Sequence, residues 1–234
     1  MSPILILHIA AGTIGAASGA AALTVRKGAR LHRAFGGVFV AAMLTMAASA
    51  TYLSVLRQPG TFFSSIFTFY LVASAWATVR RPQGRSGLFE KLAAAIVLFC
   101  LAGAAYASWR AAMSPTGAFQ GYRAIVYDIF AVFAALCAGL DLKVIRAGGI
   151  GGVQRITRHL WRMCLGFFMA AASALTQLQK ILPGHVLGVR VLPILLALAL
   201  APLLLLFFWL IRVRFTGWFK RDAAAISAMG APVT

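Results

Sequence analysis

Long apolar runs recur from one end of this chain to the other, and they constrain its fold more than any motif does. Cut at charges, Pro and Gly, the sequence yields seven, at approximately 3–25, 34–56, 61–79, 92–113, 122–143, 160–181 and 187–211. A hydrocarbon core about 30 Å thick needs about 20 helical residues rising about 1.5 Å each, and each run meets that length. The runs are continuous rather than alternating, which excludes a β-barrel. Only 11% of the residues are charged, against about 25% in soluble domains. The expected fold class is therefore all-α, a polytopic membrane protein built as a seven-transmembrane-helix bundle. Residues 1–214 form that single domain. The tail, 215–234, is expected to lie at the interface through Phe215, Trp218 and Phe219 and to be disordered beyond. Every connection is short, so consecutive helices should be antiparallel neighbours.

The net charge of +18 could signal a polyanion-binding surface, yet the cations sit between the apolar runs rather than on one face. Seventeen of the 22 Lys and Arg fall in the first, third and fifth connections and the tail; Arg57, Arg110, Arg123, Lys180 and Arg190 lie on the opposite side. The positive-inside rule then places the N-terminus outside and the C-terminus in the cytoplasm. Nucleic acid is not an expected partner; membrane lipids are, because arginines beside helix N-termini attract phosphate headgroups. The first cation, Arg26, follows the first apolar run, so that run reads as a retained helix rather than a cleaved leader.

Several chemistries find no foothold. Cys100, Cys137 and Cys164 lie inside apolar runs with no CxxC or other metal spacing, as small buried side chains do. The last run holds no lysine for a retinal Schiff base, and there is no GxSxG and no phosphate-cradling GxxxxGK.

The histidines carry the most specific expectation. His32 and His159 sit at the starts of the second and sixth helices on the basic side, whereas His8 and His185 sit near the other face. Two histidines from different helices at one depth can supply both axial ligands of a haem iron. Two stacked pairs would give electrons a path across the bundle. Helix N-termini and nearby arginines favour the neutral imidazole that ligation requires, and Arg33 and Arg162 could pair with propionates. Gly12, Gly15 and Gly19 follow His8 along its helix, Gly36 follows His32 at i+4, and Gly166 follows His159 at i+7, leaving room beside a flat macrocycle. The same glycines also serve plain helix packing, and the same histidines can stand at the interface and bind nothing. Where they bind, the reading is haem b at His8, His32, His159 and His185, with iron on His32 and His159 at the basic face, in a redox protein exchanging electrons with quinone. A non-haem metal would need three or four converging ligands, and no HxxH or HExxH spacing offers them.

A second class of function rests on Asp128, about one and a half turns into the fifth helix. A carboxylate inside a span is unfavourable and marks a pair or a pathway. Arg123 is close in sequence and Gln177 falls at a similar depth, so the three could line the polar pocket of a transporter, channel or accessory protein. A salt bridge to Arg123 or Arg110 that only fixes packing is the alternative. Asp141, at the basic end of the fifth helix, opposes the helix dipole and is expected to meet a cation such as Arg33 or Arg158. A scaffolding protein with no cofactor fits every feature as well.

The stretches LHIAAGTIGAASGAAAL, KGARLHRAFGGVFVAAMLTMAASATYL, TFYLVASAWATVRR, RHLWRMCLGFFMAAASA and FFWLIRVRFT together resemble the uncharacterised bacterial family of predicted membrane proteins catalogued as domain of unknown function 2306, over nearly the full length. The resemblance implies a multi-pass protein of the bacterial inner membrane with no assigned activity. His8, His32 and His159 stand inside the matching stretches, and His185 does not.

Overall fold

The computed structural model describes residues 2–181 and 191–215. Seven helices follow one another: α1 Pro3–Thr24, α2 Arg30–Arg57, α3 Phe62–Arg80, α4 Leu88–Ala112, α5 Ala124–Arg146, α6 Gly152–Ile181 and α7 Val191–Phe215. A 3-10 turn, Pro59–Thr61, leads into α3, and a minimal antiparallel hairpin of β1 Ala118–Phe119 and β2 Tyr122–Arg123 leads into α5. The all-α bundle expected from the apolar runs is thus present.

Six of the helices are long and apolar enough to cross a membrane. The exception, α6, has 30 residues but carries Arg155, Arg158 and Arg162 in its first half. It also begins at Gly152 rather than near residue 160, because the RITRH stretch that reads as a connection is helical. Its arginines bond to groups of α3 and α5, so they do not end it.

α3 and α6 occupy the centre. The α1–α2 hairpin packs on one side, the α4–α5 hairpin on the other, and α7 lies along α6. The main core joins Phe67, Tyr70 and Leu71 of α3 to Val97 and Cys100 of α4, Ala134 and Cys137 of α5, and Leu165 of α6. A second cluster seats Phe39 and Met43 of α2 against Val72 of α3, with Phe167 of α6 alongside. Large apolar side chains on the outside, such as Leu98, Phe99, Val132, Leu136, Leu204 and Phe207, face the hydrocarbon. Apolar surface on both sides of a helix is the mark of a membrane bundle. All three cysteines are buried and free.

The basic end is tied together by the α3 C-terminus. The last carbonyls of a helix lack intrahelical partners. Arg155 supplies them from α6: its Nε donates to Thr78 O at 2.6 Å, and its Nη2 to Val79 O and Arg81 O, each at 2.7 Å. Gly84 N donates to Ile150 O at 3.0 Å, and Gly152 N donates to Gln83 Oε1 at 3.1 Å. The α3–α4 and α5–α6 connections therefore form one unit.

Candidate functional site

His32 lies in the first turn of α2 and His159 in the second turn of α6. Each turns Nδ1 to a backbone carbonyl of a different helix. His32 Nδ1 is 3.1 Å from Ala22 O of α1, and His159 Nδ1 is 3.0 Å from Ala75 O of α3. Ala22 O is free to accept because α1 ends two residues later, and Lys27 Nζ also donates to it at 3.1 Å. A carbonyl only accepts, so each Nδ1 carries a proton, and in the neutral ring Nε2 is then the nitrogen with the lone pair.

His8 repeats the arrangement nearer the opposite end. Its Nδ1 is 3.0 Å from Met46 O and 3.2 Å from Ser49 Oγ. All three described histidines thus commit the same nitrogen, Nδ1, to a backbone carbonyl. His185, expected beside His8, lies outside the described residues.

The glycines divide. A Cβ on Gly12 or Gly15 would meet Met46 or Met43, and one on Gly19 would strike Phe39 at 2.8 Å. These three serve the close packing of α1 on α2, the plainer of their two expected roles. A Cβ on Gly166 would meet Val72 at 3.0 Å, whereas Gly36, one turn beyond His32, faces open space.

The arginines also divide. Arg33 stays near the surface and donates from Nη1 to Gly28 O at 2.6 Å. Arg162, expected on a propionate, is instead fully buried with both Nη groups committed. Nη1 donates to Ser74 Oγ at 2.5 Å and Nη2 to Asp141 Oδ1. Arg162 is three residues beyond His159, on the same face of α6, and both turn toward α3.

Asp141 is the hub of a buried network. Its Oδ1 also accepts from Arg158 Nη2 at 2.9 Å, and its Oδ2 accepts from Tyr70 OH at 2.6 Å. Arg158 Nε donates to Thr78 Oγ1 at 3.2 Å. The Arg162 guanidinium lies 5.0 Å from the ring centres of both Tyr70 and Trp161. The expected partner Arg158 is present, and Arg33 is not. Tyr70, Ser74 and Thr78 escaped the sequence reading, although their i, i+4, i+8 spacing on an apolar helix mirrors Arg155, Arg158 and Arg162 on α6.

The residues of the expected polar pocket are held apart. Asp128 Oδ1 accepts from Ser108 Oγ of α4 at 2.5 Å, and Gln177 Nε2 donates to Gln58 Oε1 at the end of α2 at 3.1 Å. Arg123 is the residue preceding α5 and is exposed, and Arg110 donates to Tyr106 OH. Among the described residues no contact joins Asp128 to Arg123, Arg110 or Gln177. No group of three or more His, Cys, Asp or Glu able to hold a metal ion occurs among them either.

Residues 5–82 match the family described as predicted membrane protein (DUF2306), the family that the sequence resembles. The matched segment covers α1 to α3, with His8 and His32, and stops short of His159, a narrower reach than the resemblance implied. No curated protein and no solved structure matches the chain.

Proposed function

We propose that this multi-pass membrane protein is a bis-histidine haem b redox protein of the bacterial inner membrane, in which His32 and His159 supply the two axial nitrogens. One observation supports the reading above the others. Both imidazoles have Nδ1–H anchored on a backbone carbonyl, which fixes the tautomer and leaves the Nε2 lone pair for a metal, the arrangement typical of ligating histidines. The open space at Gly36 leaves room at the bundle surface beside His32. Arg33 stays close enough in sequence to pair with a carboxylate there. Haem would supply one-electron chemistry, with quinone as a membrane-soluble partner. The chain's own part is to hold two neutral ligands in register and to keep one edge toward lipid.

In this reading the basic end faces the cytoplasm, in line with the clustering of Lys and Arg there. Reporter fusions after residues 27 and 58 would then give opposite sidedness. The haem reading is tested by absorbance spectra of detergent-purified protein expressed with a haem precursor. A Soret band with sharp α and β bands on reduction is expected, lost in His32→Ala and in His159→Ala and retained in Arg123→Gln. Colourless wild-type protein, or spectra unchanged in both histidine variants, would overturn it.

A further inference from the structure

The deepest charges in the protein do not balance. Asp141, Arg158 and Arg162 are all more than nine-tenths buried, and two guanidinium groups share one carboxylate oxygen. Arginine keeps its proton in proteins, so the cluster holds one net positive charge inside the bundle. Among the described residues, Arg162 Nε, also buried, has no hydrogen-bond partner. An uncompensated buried charge is strongly unfavourable. The chain has only four acids in all. Glu90 is taken by Arg81 Nε at 3.4 Å and by Gly87 N at 2.7 Å. Asp128 sits more than three helical turns away from Asp141, on Ser108. Asp222 lies outside the described residues.

A cleft connects this excess to the surface of the basic end. Its cavity volume is about 30 Å³, it opens to solvent, and it is lined by Ser74, Thr78, Arg81, Arg85, Glu90 and Arg158 among others. Arg158 therefore belongs to both the buried cluster and the cleft wall. Arg85 adds a second cation that forms no ion pair among the described residues. Glu90 is the one carboxylate on the wall, and Arg81 neutralises it. The bonds from Arg155 and the Gln83–Gly152 contact hold the walls in place.

We propose that this cleft is a binding site for a phosphate-type oxyanion, either inorganic phosphate or the phosphodiester of an anionic lipid headgroup, held by Arg158 and Arg85 with the Thr78 and Ser74 hydroxyls behind. Guanidinium forks match the several acceptor oxygens of a tetrahedral anion. The bound anion supplies the missing counter-charge to the buried cluster. The site is separate from the histidine pair and does not depend on the haem reading.

The test follows thermal unfolding of purified protein in an uncharged detergent. Inorganic phosphate is titrated at constant ionic strength, and a parallel series reconstitutes the protein in phosphatidylcholine vesicles with or without phosphatidylglycerol. A higher midpoint with phosphate is expected if the free ion binds, and one with phosphatidylglycerol alone if the headgroup is the ligand. Arg158→Gln and Arg85→Gln should each weaken the apparent affinity about tenfold or more, while Arg110→Gln at the opposite end should respond as wild type. Arg85 is exposed, so its variant decides the matter even if Arg158→Gln fails to fold. No response to either anion, or a full response in Arg85→Gln, would overturn the proposal.

Discussion

Asp141 and Arg162 form an ion pair in which neither side chain reaches solvent, and it couples α5 to α6 across the centre of the bundle. Asp141 is also the acceptor for Arg158 and Tyr70, so three side chains from two other helices depend on one carboxylate. Removing the carboxylate leaves two guanidinium groups facing each other without a counter-charge. Asp141→Ala should lower stability by about 3–5 kcal/mol, the cost of orphaning a buried charge. Tyr70→Phe keeps the volume and removes one hydrogen bond to a charged group, about 1.5–3 kcal/mol. Unfolding in detergent should rank wild type above Tyr70→Phe and Tyr70→Phe above Asp141→Ala. Equal stability of all three would mean that the network contributes nothing to the fold.

Gly149 should tolerate no side chain. Its φ of +135° lies in a region that only glycine enters readily. A Cβ there would come within 2.3 Å of Arg85 N, a backbone atom that cannot swing aside. Gly149→Ala should therefore push the α3–α4 and α5–α6 connections apart and lower the unfolding midpoint. Gly37→Ala, in a helical position facing open space, should be neutral or slightly stabilising. A Gly149→Ala protein as stable as Gly37→Ala would refute the close approach.

Lys27 gives the protein a pH dependence in the alkaline range. The side chain lies between α1 and α2, and burial pushes its ammonium below the ordinary lysine value, outweighing an opposing contribution from Cys164. Over the window between the folded value and the unfolded one, the unfolded chain binds more protons, so stability contributed at this position rises with pH. The difference in midpoint between wild type and Lys27→Met should move in favour of wild type as pH increases toward that of free lysine. A difference that is flat, or that moves the other way, would contradict the burial.

Much of the architecture was legible because hydrocarbon imposes a simple rule on length and composition. α1 to α5 and α7 begin and end within a few residues of the apolar runs. α6 was harder: RITRH reads as a connection because Arg and His are unfavourable in lipid. In the bundle those groups meet α3 carbonyls and Asp141, and the helix continues through them. The hairpin at 118–123 has two residues per strand, too few for an alternating pattern to register. Asp141 announced its need for a cation through its place at a helix C-terminus, and Arg158 answers it. That Arg162 joins as well could not be read from one sequence, because nothing in an arginine's own neighbourhood tells whether it snorkels outward or turns to a carboxylate on the preceding helix. The histidines showed their depth but not their tautomers, which depend on carbonyls ten or more residues distant, on other helices.

The placement of Arg155, Arg158 and Arg162 on α6 also bears on how the protein is made. A lone helix carrying three arginines enters a bilayer poorly, since each costs about 2.5–3.5 kcal/mol near the middle of a span. Their acceptors, on α3 and α5, leave the ribosome earlier. The sixth segment can therefore settle only against companions already lodged in the bilayer, and its integration becomes a late, templated step of biogenesis rather than an independent one.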